Sequence, residues 1–434
     1  MKSKPLLITI NTRLNALTKS KLLMQLLLFV FTLSLFSLTS NAATINVQQN
    51  DFELHATGLG QGHASVAMLN NGTSLMVWQE RGTQALVMDN LGNTLARLYI
   101  SKPTGSASHP IVSAGTNRFV VTWHERTNLG HEVFITVLDS AGNTLVAKKS
   151  VTLGNQPWVS DAVIHPDVAM NKKGEFIVVW DVLQSGKRAI YGQSFNRIAQ
   201  STSPVTALST RPSLVLDPTS KIELGFPDVD MNIKGDVAVV WAGYDVITAS
   251  YPIALRKFNI HVSPWVNADE RLLDYVPNAI QAIPHISLNN KGDIAASWMD
   301  MTASTMSTAS VFYKKYNSAL NVWENTIRLA GELDAGANRI TSKIFEGGTS
   351  IVAFSGKSLD GSLDVYISFY SPKNKLLKAF KVNDSTSSLV TFEQRRPDIA
   401  FSSGALTIDL MLTWEMAVVG GSDMVYGKIY RITR

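Results

Sequence analysis

Residues 166–180 read PDVAMNKKGEFIVVW, and this stretch decides the fold because the chain repeats it. A short apolar run leads into a polar turn with a glycine, and a second apolar run then ends in tryptophan. Both runs are short, rich in β-branched and aromatic residues and bounded by turns, which is typical of β-strands. The glycine supplies the positive φ that a tight hairpin requires. Each copy therefore predicts a β-hairpin.

Seven copies of this hairpin follow one another along the chain. The others span residues 64–78, 110–123, 227–241, 284–298 and 397–414, with a degenerate copy at 340–354. An aromatic residue that we call the marker ends each copy: Trp78, Trp123, Trp180, Trp241, Trp298, Phe354 and Trp414. A third apolar segment, such as residues 189–195, and a fourth, such as 376–382, follow the marker. Four antiparallel strands in each repeat is the composition of a propeller blade.

The two ends of the repeat array predict a closed ring. The seventh copy continues into a third strand at residues 424–430, and the chain then stops one strand short. Residues 44–49 precede the first copy and look like a fourth strand. We therefore expect an all-β fold, a seven-bladed β-propeller of four-stranded antiparallel blades whose N-terminal strand completes the last blade. Closure removes exposed edge strands and makes residues 43–434 a single domain. Tandem β-sandwiches are the alternative.

The blade pattern P-x-V-A-x-N-x-x-G-x-x-x-V-V-W resembles the repeats of secreted and surface-attached bacterial seven-bladed β-propeller proteins. The resemblance covers residues 44–434 and implies the fold. It implies little about activity, because such propellers serve as adhesins, scaffolds, binding modules and occasionally enzymes.

The first 42 residues predict a signal peptide. Five basic residues precede an apolar run at 22–38, and small residues follow at 40–43. This order of charge, apolar run and small residues is that of a secretory signal, with cleavage after Ala42, or after Ala43 as the alternative. We expect an exported protein, periplasmic or secreted, with no membrane span after cleavage. A retained anchor is the alternative, because 17 residues (22–38) approach the length that spans a bilayer.

Charge and cysteine content exclude several classes of function. The chain has 39 basic and 34 acidic residues, and removing the five basic residues of the signal leaves 34 of each. A formally neutral chain has no overall electrostatic footprint for nucleic acid or an anionic membrane. The absence of cysteine excludes disulfides, thiolate metal sites and a cysteine nucleophile.

A first set of polar residues opens strand one of the blades, where a propeller lines its central channel. His63, His109 and His165 share one repeat position. Two places later the copies carry Ser65, Asp167, Asp228, His285 and Asp398. We predict that the histidines and aspartates bind a ligand, and His63, His109 and His165 are candidate metal ligands because imidazole with carboxylate suits divalent cations. The alternative is that each side chain satisfies backbone groups where two blades meet.

A second set of polar residues follows the marker. Glu80, Glu125, Asp181 and Glu415 are candidate catalytic carboxylates, since two at suitable separation would support glycosidic acid/base chemistry. A solvated rim of Glu–Arg pairs is the alternative interpretation. His124 and His131 flank this rim in the second blade.

These observations predict a non-catalytic binding or scaffolding protein that recognises a protein or a glycan at one face of the propeller. The alternative is a carbohydrate-active enzyme, a glycoside hydrolase or lyase, with acidic residues at the mouth. We predict no cofactor, with a divalent metal at the histidine ring as the alternative. We expect a monomer that does not bind nucleic acid.

Overall fold

The structure is a computed structural model, and part of the chain is described in it. The described residues are 44–54, 61–102, 107–128, 130–152, 164–184, 187–210, 214–215, 225–245, 250–265, 270–274, 276, 279–302, 308–329, 333–334, 340–357, 363–383, 392–403, 407–418 and 423–433. They belong to a large unit, Asn46–Arg431, and to a small unit of residues 1–45 and 432–434. The predicted signal peptide, residues 1–42, lies outside the described residues. No helix among the described residues is long and apolar enough to cross a membrane.

The described strands form seven blades. The chain begins with β1 (Thr44–Glu53). Blade 1 comprises β2 (Gly62–Met68), β3 (Ser74–Gln79), β4 (Thr83–Met88) and β5 (Thr94–Tyr99). Blade 2 comprises β6 (Ser108–Ala114), β7 (Arg118–Thr127), β8 (Gly130–Asp139) and β9 (Thr144–Ser150). Blade 3 comprises β10 (Pro166–Met170), β11 (Phe176–Gln184), β12 (Lys187–Phe195) and β13 (Thr206–Ala207).

The remaining blades are less regular at their outer edges. Blade 4 comprises β15 (Gly225–Met231), β16 (Asp236–Ala242), β18 (Ile253–Asn259) and β19 (Glu270–Asp274), beside a small pair of β14 (Leu214–Val215) and β17 (Tyr244–Asp245). Blade 5 comprises β20 (Ala279–Leu288), β21 (Ile294–Thr302), β22 (Thr308–Asn317) and three short pieces, β23 (Val322–Trp323), β24 (Ile327–Arg328) and β25 (Leu333–Asp334). Blade 6 comprises β26 (Ile340–Ile344), β27 (Ser350–Lys357), β28 (Leu363–Tyr370) and β29 (Leu376–Lys381). Blade 7 comprises β30 (Phe392–Ser403), β31 (Thr407–Val418), β32 (Met424–Thr433) and β1.

The N-terminal strand completes blade 7, as the sequence predicted. Strand β1 lies beside β32, the last strand of the chain. Just after β1, the Leu54 N–H donates to the Val425 carbonyl at 2.9 Å. The ammonium of Lys428 lies 3.1 Å from the Asp51 carboxylate. The first and last segments of the large unit are therefore joined by backbone pairing, which confirms the predicted closure of the ring.

Apolar side chains from the two faces of each inner strand fill the spaces between blades. One cluster joins Val133 of blade 2 to Trp180 of blade 3, and another joins Val179 of blade 3 to Trp241 of blade 4. The six tryptophan markers are at most 1 % exposed. Strands covered on both faces read as continuous apolar runs, which explains why the repeats lack the alternation of a half-exposed sheet.

Candidate functional site: the mouth of the central channel

A bulge shapes the start of strand one in five blades. In blade 1, Gly62 pairs with Gln79 and Ser65 with Val77, so that two residues, His63 and Ala64, oppose the single marker Trp78. Blades 2, 4, 5 and 7 show the same register shift. The first bulged residue has a positive φ in all five: His63 51°, His109 54°, Phe226 31°, Ile283 50° and Arg396 54°.

A left-handed backbone is unfavourable for residues other than glycine, especially for a β-branched one such as Ile283. Such residues cost about 1–3 kcal/mol each, and they cluster at functional sites. Bulges beside such sites re-aim a side chain. The five residues line a cavity of about 70 Å³ together with His165, which holds the same position in blade 3. We call these six residues the mouth ring.

The sequence placed three of these residues correctly at one repeat position, and the structure brings them together. The ring centres of His63 and His109 are 4.0 Å apart, and those of His109 and His165 are 4.8 Å apart. On its other side His165 stacks on Phe226, at 3.7 Å. Phe226, Ile283 and Arg396 were not predicted from the sequence, although each directly precedes the proline that opens a repeat, as His109 and His165 do.

A buried carboxylate orients His165. Asp181 is fully buried and accepts hydrogen bonds from the His165 backbone N–H at 2.6 Å and from Nδ1 at 3.1 Å. With its proton on Nδ1, the imidazole presents an unprotonated Nε2, which can accept a hydrogen bond or take a proton. Asp181 was predicted as a candidate catalytic carboxylate, and here it contacts His165, which lines the mouth cavity.

A second buried carboxylate holds the arginine of the ring. Glu415 is fully buried, and its oxygens lie 3.2 and 3.4 Å from one guanidinium nitrogen of Arg396. It also accepts the backbone N–H of His63. The Glu415 carboxylate thereby ties two ring residues of neighbouring blades, 7 and 1, in place.

Two further histidines lie behind the ring in blade 2. The His124 ring is 5.4 Å from that of His109 and 5.4 Å from that of His131. Burial lowers the pKa of His124 to about 3, and the nearby His131 and His165 act in the same direction. Burial also lowers the pKa of His131. Both rings are therefore neutral at pH 7.

Glu80 and Glu125 cap the marker tryptophans. The Trp78 indole N–H donates to Glu80 at 3.0 Å, and the Trp123 indole N–H donates to Glu125 at 2.7 Å. Glu80 is 2 % exposed and also accepts from the Gln61 amide at 2.9 Å. The interpretation of Glu80 as part of a solvated rim is therefore wrong, because its carboxylate is buried and accepts from Trp78 and Gln61.

The polar residues two places after the ring accept hydrogen bonds from the next blade. The acceptor is a side chain of strand one, and the donor is a backbone N–H of strand one in the following blade. We call these side chains latch residues. The bonds are Val112 N to Ser65 (3.3 Å), Val229 N to Asp167 (2.7 Å), Ile286 N to Asp228 (2.7 Å), Ser342 N to His285 (3.2 Å) and Val66 N to Asp398 (3.0 Å).

Blade 2 lacks a latch acceptor, because its latch position holds Ile111. A second bond lies two places further on, where Ser113 accepts from Met170 N at 2.9 Å, and Asp230 and Ser287 make the same second bond in blades 4 and 5. Asp228 and His285 also line the mouth cavity. The alternative interpretation from the sequence, that these residues satisfy backbone groups between blades, thus describes the bonds that the structure contains.

One cation faces the latch carboxylates inside the channel. Burial acts to lower the pKa of Lys343, but the carboxylates of Asp230, Asp398, Asp228 and Asp167 raise it overall. Burial raises the pKa of Asp230, which accepts Leu288 N at 2.7 Å. Lys343 therefore balances part of the negative charge of the channel interior.

The candidate metal ligands His63, His109 and His165 contact one another through their rings. Within the part of the chain that the structure describes, no three His, Asp or Glu side chains are grouped so that they could hold a metal ion. The mouth ring instead offers imidazole nitrogens, one guanidinium and one phenyl ring. These groups can donate and accept hydrogen bonds and stack on an apolar surface.

Together the seven blades, the closed ring and the lined channel define a seven-bladed β-propeller. A 9 % identical protein of unknown function from Dyadobacter fermentans superposes with a TM-score of 0.53 over 89 % of this chain and 100 % of its own. An ulvan lyase of polysaccharide lyase family 25, bound to a saccharide of glucuronic acid and sulfated rhamnose, is 8 % identical and superposes with a TM-score of 0.55 over 85 % of this chain and 93 % of its own. At these identities the likeness shows the fold alone. Neither a family model nor a curated protein sequence matches this chain.

Proposed function

We propose that the protein is an exported binding propeller that recognises a glycan at the mouth ring. The observation that carries this proposal is the left-handed backbone of His63, His109, Phe226, Ile283 and Arg396. A strained backbone persists only where the surrounding structure stabilises it, and such residues are concentrated at functional sites. The same bulge carries four different residue types, so the blade geometry does not dictate which side chain it holds.

The chemistry of the ring suits a sugar. Imidazole groups can donate to and accept from hydroxyl groups, the Arg396 guanidinium can donate to them, and the Phe226 ring can pack against the apolar face of a pyranose. His165 and Arg396 are held by the buried carboxylates Asp181 and Glu415, so little side-chain entropy remains to be lost on binding. The known saccharide complex of a propeller with the same fold supports a glycan over a protein ligand.

Binding to immobilised plant, algal and bacterial polysaccharides tests this proposal. We expect His109→Ala and Arg396→Ala to weaken binding by about tenfold each, since a lost hydrogen bond to a ligand is worth about 1.4 kcal/mol. The matched control is His261→Ala, because His261 is exposed in a turn at the other end of its blade. Equal binding by all three variants, or no binding to any glycan by the parent protein, would refute the proposal.

A carbohydrate-active enzyme is the second candidate, favoured by the Asp181–His165 pair. A histidine oriented by a buried carboxylate is a suitable general base. The carboxylates Glu80 and Glu125 cap indoles, so a base mechanism through imidazole fits this mouth better than a pair of glycosidic acids. Such a base could remove the proton next to a uronate carboxylate, as a lyase does. The electron pair of that C–H bond forms a C=C bond while the glycosidic C–O bond at the neighbouring carbon breaks, and the released oxygen takes up a proton from water.

Appearance of unsaturated sugar products on incubation with uronic-acid polysaccharides tests the second candidate. We expect His165→Gln to abolish product formation, while Asp181→Asn lowers the rate by at least tenfold and shifts its pH profile. Binding without any product would leave the first proposal in place and reject the second.

A further inference from the structure

The face of the propeller opposite the mouth ring carries the turns between strands one and two and between strands three and four. In an antiparallel blade these two turns lie at the same end. Turns of neighbouring blades contact one another there, since Ile233 N donates to Asn290 at 2.9 Å and Thr116 donates to the Lys172 carbonyl at 2.5 Å. We call this end of the blades the turn face.

Single large apolar residues project from the turn face in blades 3 to 5. Ile198 is 56 % exposed, Val262 64 % and Leu320 69 %, and Ile233 is 36 % exposed. Each stands in a turn, next to at least one polar residue. These residues stand singly in separate turns. A surface that packs against a protein more usually has one contiguous apolar patch.

Basic residues are interleaved with these points. The exposed basic residues in the turns of blades 3 to 6 are Lys172, Lys173, Arg197, Lys234, Lys291, Lys373 and Lys375. The acidic residues of the same turns are Glu175, Asp236, Asp293 and Glu346. Seven basic residues against four acidic ones leave this sector positive, although the chain after removal of its first 42 residues is formally neutral.

The acidic residues are also occupied within the turns. Asp236 accepts from the side-chain amides of Asn232 (3.0 Å) and Asn259 (2.8 Å), and Asp293 accepts from Ser318 N at 2.9 Å. Hydrogen bonds hold the pKa of Asp293 below its ordinary value, although burial alone would raise it. Asp236 and Asp293 thus stabilise the base of their turns, and the exposed tips of blades 3 to 5 present lysine and aliphatic side chains, whereas the blade 6 turn also exposes Glu346.

We propose that the turn face of blades 3 to 6 docks on an anionic lipid surface. Apolar residues that reach the interface, surrounded by lysine and arginine, are the combination by which peripheral proteins bind anionic bilayers. From the neutral net charge we predicted no electrostatic attraction to an anionic membrane. A sum over the whole chain, however, does not show how charge is divided between the faces of the propeller. Docking in this orientation points the mouth ring away from the membrane.

The cysteine-free chain allows a direct test. A Val262→Cys variant of the exported protein is labelled with an environment-sensitive fluorophore and titrated with vesicles. We expect the emission to brighten and shift to the blue with phosphatidylglycerol vesicles, and not with phosphatidylcholine vesicles. In the same labelled protein, Lys172→Gln, Lys234→Gln and Lys291→Gln together should weaken binding about a hundredfold, at about fivefold for each lysine.

Two controls keep the test specific. A label at Leu145→Cys reports on the outer strand of blade 2, which is also exposed, and its emission should not change. Charge removal at Arg81, Lys102 and Arg126, exposed residues at the mouth end of blades 1 and 2, should leave binding within about twofold. The proposal is overturned if the label at Val262 does not respond to anionic vesicles, if Leu145 responds equally, or if both triplets of basic residues weaken binding alike.

Discussion

Replacing the latch residue Asp167 by asparagine should destabilise the junction between blades 3 and 4. Asp167 is 7 % exposed, and its two oxygens accept Val229 N at 2.7 Å and Val168 N at 2.8 Å. Asparagine has the same shape but keeps only one oxygen, so its amide must face a backbone N–H. One charge-assisted bond is lost, and one buried donor is left without an acceptor.

The expected cost follows from these two losses. A hydrogen bond to a charged group contributes about 1.5–3 kcal/mol, and a buried unsatisfied donor costs a similar amount. We therefore expect Asp167→Asn to lower the free energy of unfolding by about 3 kcal/mol. The neutral latch Ser65, whose bond to Val112 N is 3.3 Å long, should lose only about 1 kcal/mol in Ser65→Ala.

Urea unfolding measures both variants, followed by the fluorescence of the nine tryptophans and by circular dichroism. The midpoint should fall without a change in the slope, because the surface exposed on unfolding stays the same. The reasoning is refuted if Asp167→Asn unfolds within about 0.5 kcal/mol of the parent, or if Ser65→Ala costs as much as the aspartate variant.

Three further perturbations follow from the structure. Lys343→Met should lower the free energy of unfolding at pH 7 by about 3 kcal/mol, since it removes the cation that faces the channel carboxylates. This loss should shrink in acid, where Asp230, whose pKa is raised, takes up a proton, and urea titrations at several pH values measure it. His124→Gln should reduce the loss of stability in acid. Native His124 has a pKa of about 3, so between pH 6.5 and pH 3 the unfolded chain binds this proton and the folded chain does not. The free energy of unfolding of the parent should therefore fall by about 1.4 kcal/mol per pH unit more than that of the variant in urea titrations. Deleting residues 44–53 should expose the edge of β32 and cause aggregation, visible by size-exclusion chromatography, whereas removing residues 1–42 alone should not.

The fold could be predicted from the sequence because the same local signals recur in every blade. The positive φ predicted at the turn glycines is present at Gly72, Gly174, Gly235 and Gly292, between 83° and 93°. The marker aromatics reach the blade interfaces, and the missing strand of blade 7 is supplied by β1. Because the pattern recurs seven times, the assignment of the fold does not depend on the interpretation of any single strand.

The site was only partly predictable. Equivalent repeat positions correctly grouped His63, His109 and His165, because a propeller brings equivalent positions to one circle. Sequence could not show that Glu80 caps the Trp78 indole or that Asp181 holds His165, since both contacts depend on the direction of a side chain after the marker. A pattern of polar residues does not include the apolar Phe226 and Ile283, and Arg396 was missed although it is polar. The bulge that aims all three leaves no residue pattern beyond the following proline.

The latch and the mouth ring lie two residues apart on the same strands, and they differ in how far the residue type varies between blades. At the latch, the five bonds use serine, aspartate or histidine as the acceptor, and blade 2 carries Ile111 there and keeps the second bond, from Ser113. At the mouth ring, one backbone conformation carries histidine, phenylalanine, isoleucine and arginine in turn. The junction between blades therefore favours an acceptor at the latch, whereas the bulge of the mouth ring accommodates several residue types. In the proposed function, the residue types of the ring are those that contact the glycan.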